Sequence, residues 1–278
     1  MGSTDLRGTA AAIRRHVIEQ SRRADVGHIG SCLSIADILA ALYGAVLDIG
    51  GPDEPERDRF ILSKGHAALA LYAALHATGR LPREQLDTYC ADGSALGGHP
   101  EHALGGVELS TGSLGHGLSV AAGSALAARL ARSQRRSVVL LSDAEQNEGS
   151  VWEAAMFAAH HELSGLVAIV DCNGQQALGY TRDVIDLEPL AERWRAFGWE
   201  VAELDGHDPD LIASTISGLD RSGRRPNLIL ARTVFGHGVS FMESKIAWHY
   251  QPLSDDEYRI ALEELAAWED RVAQGAPW

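Results

Sequence analysis

The stretch that decides the fold is Ser137-Val-Val-Leu-Leu-Ser142-Asp143-Ala-Glu-Gln-Asn-Glu148-Gly-Ser150, continued after an amphipathic run by Leu166-Val-Ala-Ile-Val170-Asp171-Cys-Asn173-Gly-Gln175-Gln176. Val138–Leu141 is a short, apolar, β-branched run, the pattern of a buried strand. From Ser150 to Leu163 the spacing turns helical, and predicts one face made of Val151, Trp152, Ala155, Met156 and Ala159. Leu166–Val170 reads as a second buried strand, ending in Asp171-Cys172-Asn173. Strand, helix and strand make a βαβ unit. Its right-handed crossover brings both strand ends to one edge of a parallel sheet. Asp143 and Asn173, thirty positions apart, then face each other across one crevice.

A carboxylate, an amide oxygen and a nearby backbone carbonyl are hard oxygen donors. Mg²⁺ takes about six such ligands and draws the remainder from phosphate and water. The N-terminus of the helix at Ser150 favours anions. The stretch can therefore hold a magnesium diphosphate. The competing reading is that Asp143 and Asn173 only shape the turns after two strands, where both residue types are common.

Asp143-Ala144-Glu145-Gln146-Asn147-Glu148-Gly149, with Asn173 further on, resembles the thiamine-diphosphate signature of transketolases. The segment Glu148–His161 is similar to the same family, above all to its split bacterial form. The resemblance implies that Asp143, Asn173 and the carbonyl of Gln175 hold Mg²⁺, with Ala144 and Glu145 beside the thiamine diphosphate. Ser142 and Ala144 stand where glycines are usual. Ala144 still offers an N–H to phosphate, but its methyl group would crowd the diphosphate, and a positive φ there would be costly.

The remainder of the chain is bounded by its composition. With 278 residues, 45% apolar and 22% charged, it reads as a soluble globular protein with a substantial core. A net charge of −14 argues against nucleic acid or an anionic membrane as partner. Cys32, Cys90 and Cys172, an odd count without paired spacing, point to a reducing cytoplasm. There is neither a signal pattern nor an apolar run of membrane-spanning length. Lys64 and Lys245 are the only lysines, and arginine with abundant Ala and Gly suggests a GC-rich bacterial genome. No linker or internal repeat divides the chain, so residues 1–278 are read as one domain.

Taken in order, Leu6–Arg23 predicts a surface helix with Ile13 and Val17 opposite its arginines. Val26–Ser34 predicts a glycine-rich loop presenting His28, with Ser34 capping the helix that follows. Gly50–Arg59 predicts a surface connector, and Arg59–Ser63 a strand. His66 falls at the turn into the next helix, where sites in such sheets collect. His99 lies in Gly97-Gly-His-Pro100, whose proline disfavours helix. Each is a histidine presented by a loop rather than packed on a periodic face. A loop histidine bonding its own backbone is the competing reading for His28. His16, His76, His160, His161 and His207 are read as structural or solvent-facing. Ser110-Thr-Gly-Ser-Leu-Gly-His-Gly117 leads into a small-residue helix, Leu118–Arg132, without a clear preceding strand, so a dinucleotide-binding reading is weak. Later helices are predicted over Leu187–Phe197 and to about Leu219. Strands are predicted over Trp199–Leu204 and Asn227–Thr233, and a last helix is capped by Ser254–Asp256.

Transketolase motifs match several of these loops in the family's order. The resemblance implies an active-site histidine at His28, a cofactor and substrate role for His66, and a substrate contact for His99. It implies cofactor contacts through Gly112, Ser113 and Leu114, with His116 where Gln is frequent. His249 matches a histidine that meets diphosphate and substrate phosphate; Tyr250 follows it where Gly is common and would narrow the mouth. Glu148 has two readings. It complements the helix dipole, or, by resemblance, it is a buried acid at the subunit interface linking two active sites.

The resemblance covers about Ile13 to Glu264 and implies the thiamine-diphosphate-binding α/β fold, a parallel sheet of five or six strands flanked by helices. It matches half of a complete transketolase. The pyrimidine-binding half would come from a separate subunit, in a heterotetramer. The implied activity moves a two-carbon ketol unit from a ketose to an aldehyde, on an acceptor outside central sugar metabolism if the unusual residues matter. Two alternatives are a 2-oxo acid decarboxylating component and a non-catalytic scaffold subunit.

Overall fold

The computed structural model describes residues 5–51 and 54–273. Residues 52 and 53 of the predicted connector, and 1–4 and 274–278 of the predicted single domain, lie outside them. Helix α1 (Leu6–Ala24) is followed by α2 (Ile29–Leu33) and α3 (Ala36–Ala41), then β1 (Arg59–Leu62), α4 (Ala68–Ala77) and α5 (Arg83–Leu86). After a long loop come α6 (His116–Leu130), β2 (Ser137–Ser142), α7 (Gly149–His160) and β3 (Leu166–Cys172). A small hairpin, β4 (Gln175–Gln176) and β5 (Gly179–Tyr180), leads to α8 (Thr181–Val184), α9 (Leu190–Ala196), β6 (Glu200–Asp205) and α10 (Pro209–Ser217). The described chain closes with β7 (Asn227–Arg232) and α11 (Asp255–Ala273).

The main sheet has five parallel strands in the order β1-β2-β3-β7-β6. This is the predicted α/β class with the lower of the two expected strand numbers. β2 and β3 are neighbours in register, Ser142 opposite Asp171, and both strands are buried along their full lengths. Successive side chains point to opposite faces. Val138, Leu140, Val167 and Ile169 enter the core under α1, α3, α4, α10 and α11. Val139, Leu141, Ala168 and Val170 enter the core under α6, α7 and α9. Covering both faces explains the near-continuous apolar runs. Because all five strands run parallel, their C-terminal ends present Ser63, Asp143, Asn173 and Thr233 at one edge.

Several local expectations change. α1 is not a surface helix: it is packed among α3, α4 and α11, and Arg14 on it is fully buried. Its guanidinium is paired with Asp37 and lies over the Trp268 ring, which compensates burial of the charge. The predicted loop at Val26–Ser34 is helical from Ile29. Ser34 does not cap the next helix; its hydroxyl donates to the Ser31 carbonyl (3.1 Å) and to Asp171 Oδ2 (2.8 Å). On α7 the buried face is Val151, Ala154, Ala155 and Ala158, while Met156 is 51% exposed. Small residues win there because α7 packs closely on the alanine face of α6. Among the described residues no helix is long and apolar enough to cross a membrane.

Candidate functional site

Four of the loop histidines converge above the strand ends. The ring of His28 lies 5.6 Å from that of His66, 6.4 Å from His99 and 5.3 Å from His249, and His66 lies 5.4 Å from His249. They come from the start of α2, the turn after β1, the loop before α6 and the turn before α11. His28 adopts a left-handed backbone (φ 63°), and its N–H donates to the His249 carbonyl (3.3 Å). Phe235 lies near-parallel to the His249 ring, and a Cβ at Gly30 would meet Phe235 Cε1 at 2.1 Å, so only glycine fits under that ring. Ser31 Oγ is 2.8 Å from His66 Nε2. Burial, reinforced by neighbouring positive groups, pushes His66 well below the ordinary histidine range and His249 down to about 4. His28 is lowered mainly by burial and then by His99. These rings are neutral near pH 7, each with one ring nitrogen to accept a hydrogen bond and one N–H to donate.

Asp143 follows β2 directly. Its carboxylate accepts from the N–H of Gly174 and of Ala144, each at 2.7 Å, so it sits against the Asn173 turn as the βαβ reading requires. Burial, then the nearby Asp171 carboxylate, raises it to about 7. Asn173 accepts from the Gln175 N–H through Oδ1 (3.0 Å) and donates from Nδ2 to Asp171 (2.7 Å), which fixes its amide orientation. Ala144 does not take a positive φ: it opens a 3₁₀ turn, Ala144–Asn147, so the absence of glycine carries no backbone strain there.

Beneath these groups lies an ion pair that sequence reading passed over. Lys64 Nζ donates to Asp171 Oδ2 (2.6 Å) and to the Ser31 carbonyl (3.3 Å), with both charged side chains fully buried. Asp171 also accepts from Ser34, Thr233 and Asn173. One carboxylate thus ties α2, β1, β3 and β7 together under the site. A rare lysine in a strand-end turn and an acid closing an apolar strand were the available signals.

A cavity of about 250 Å³ opens on this edge. Leu114, Ala144, Glu148, Asn173, Gln175, His66 and His249 line it, as do Asn147, Gln176 and Phe235, which sequence reading had not singled out. Asp143 faces a second space of about 180 Å³ shared with Cys172 and Arg232; Asn147 borders both. Gly112 and Ser113 are exposed in the loop ahead of α6, Gly112 close to the His99 ring. Glu148 is exposed at the N-cap of α7 and makes no capping bond. Glu145 lies behind the cavity instead of in it. It is fully buried, accepts from Ser63 and from the N–H of Gly115 (2.7 Å) and Ser142 (3.3 Å), and so supports the loops.

The donor set suits a magnesium diphosphate. Asp143 and Asn173 supply hard oxygens. No cluster of three or more His, Cys, Asp or Glu suited to a metal occurs among the described residues, so a cation here would complete its shell from a carbonyl, phosphate and water. Buried Oδ1 of Asn147 and Oε1 of Gln146 have no partner among the described residues, and the uncapped N-terminus of α7 lies beside them. The histidines, a carboxylate, side-chain amides and the N-terminus of α7 together can orient a phosphorylated ligand and move protons.

Residues 7–272 match the family described as the thiamine diphosphate binding domain of transketolase. The chain is 42% identical over 264 residues to a 6-deoxy-6-sulfo-D-fructose transketolase subunit of a Clostridium species, covering 94% of this chain and 96% of that protein. It is 41% identical to an apulose-4-phosphate transketolase subunit of Phocaeicola vulgatus, covering 91% of each. The transketolase of Campylobacter jejuni superposes with a TM-score of 0.87 at 30% identity, over 94% of this chain and 42% of that one. The chain spans less than half the length of that solved transketolase. It belongs to the transketolase family and carries the family's thiamine diphosphate binding domain.

Proposed function

We propose that this chain is the diphosphate-binding subunit of a split transketolase, transferring a two-carbon ketol unit from a ketose donor to an aldehyde acceptor. The observation that carries the reading is the convergence of His28, His66, His99 and His249, with His66 and His249 lining one cavity together with Asn173, on a chain that matches subunit-length relatives nearly end to end. Bound thiamine diphosphate supplies the carbanion chemistry that breaks and remakes the carbon–carbon bond. Asp143, Asn173 and the Gln175 carbonyl hold Mg²⁺, and Ala144, with Gly112, Ser113 and Leu114, flanks the cofactor. The histidines accept and return substrate hydroxyl protons and orient the sugar. His249, beside Phe235, fixes the far side of the cavity.

A second subunit with the complementary pyrimidine-binding half completes the site, in a heterotetramer, with Glu148 placed to meet a subunit contact. The sulfosugar and sugar phosphate in the relatives' names favour a specialised substrate that carries an anionic group. The test is a ketol-transfer assay of the chain mixed with its complementary subunit, thiamine diphosphate and Mg²⁺. Activity is expected with the wild type and is lost in Asp143→Ala. Release of CO₂ from a 2-oxo acid without ketol transfer would contradict the proposal.

A further inference from the structure

Gln175 and Gln176 begin the β4–β5 hairpin and line the cavity beside His66 and His249. Gln175 is only 6% exposed, yet neither its Nε2 nor its Oε1 has a partner among the described residues. Nε2 of Gln176 is likewise buried and unpartnered. A buried amide without hydrogen bonds opposes folding, and such groups are rare in native proteins. The backbone does not require the side chain. The Gln175 N–H already donates to Asn173, and leucine would fill a similar volume without the penalty.

The chemistry of the ligand follows from what the amides lack. An amide offers two N–H donors and a carbonyl acceptor. A phosphate would satisfy the donors and leave Oε1 of Gln175 unpaired, and an apolar ring would leave both ends unpaired. Neighbouring hydroxyls, each donor and acceptor, satisfy both. Resting on the reading of this cavity as a transketolase-type site, we propose that the side-chain amides of Gln175 and Gln176 bind hydroxyls of the sugar substrate and set selectivity against deoxy sugars.

The experiment compares wild type with Gln175→Leu and Gln175→Leu/Gln176→Leu, as full chains assembled with the complementary subunit. An aldose acceptor is run against its monodeoxy analogues. In the wild type kcat/KM for at least one deoxy analogue is expected to fall about tenfold or more, and in the variants this gap narrows to about threefold or less. The affinity for thiamine diphosphate with Mg²⁺, read by protein fluorescence, should stay within about twofold, because the metal-binding carbonyl is retained. The free Gln175→Leu chain should melt about 2–4 °C higher, which a residue kept only for packing would not do. Unchanged discrimination with normal cofactor binding would overturn this assignment alone. A roughly tenfold loss of cofactor affinity would assign the amides to the cofactor instead. A wild-type complex that takes up no cofactor would overturn this assignment together with the underlying reading.

Discussion

Lys64 is buried to the last atom, and its partner Asp171 is equally buried. Removing one member of such a pair leaves a charge without compensation, which costs about 3–5 kcal/mol. Lys64→Met is therefore expected to lower urea stability by about 3 kcal/mol or more; an unchanged midpoint would show that Ser34, Thr233 and Asn173 satisfy Asp171 unaided. His237 gives a different residue-scale expectation. Its ring stacks on His207 at 3.7 Å, and burial, then Arg14, lowers it to about 3. Between about pH 3 and 6.5 the unfolded chain takes up a proton there that the folded chain refuses, so stability falls as pH falls. From pH 7 to pH 5 this one group contributes a loss of about 2 kcal/mol. Urea unfolding at both pH values should show a smaller difference, by about that amount, in His237→Gln; an equal difference would remove His237 as the cause. Residue chemistry was only partly legible in the sequence. His28, His66 and His99 stood out because glycine-containing loops present them. Lys64 and Asp171 did not, because their partners are 107 positions apart and no local pattern encodes pairing at that distance.

At the scale of elements, β2, α7 and β3 were readable because a buried strand and an amphipathic helix carry different periods. The helix face was misassigned at Met156 because α7 lies on an alanine-lined surface, where small side chains rather than large ones face inward. α1 was misread because its arginines suggested solvent, whereas Arg14 reaches Asp37 on a helix that local sequence cannot place beside it. The β4–β5 hairpin was not readable as such; two-residue strands leave almost no periodic signal. It is braced across the mouth of the cavity by the Tyr250 hydroxyl, which donates to the Ala177 carbonyl at 2.8 Å. Tyr250→Phe is expected to leave the melting temperature unchanged and to speed amide exchange at Gln176–Tyr180 by about five- to tenfold, the loss of one hydrogen bond on a local opening. Exchange at the wild-type rate would show that the hairpin holds itself.

At the scale of the molecule, a parallel sheet collects its strand ends on one edge, and the candidate site stands there. That much followed from the order of the motifs. The sequence did not reveal how the cavity is walled, since Phe235, Asn147 and Gln176 enter it from separate segments of the chain. The length match to subunit-sized relatives and the exposed Glu148 support a site completed by another chain. Native mass spectrometry of this chain, alone and with the complementary transketolase subunit, in Mg²⁺ and thiamine diphosphate, tests this most directly. The expected result is a mixed complex carrying the cofactor, with the cofactor lost from the same complex made with Asp143→Ala. A mixed complex with empty sites, or cofactor retained by Asp143→Ala, would contradict the site and the function proposed for it.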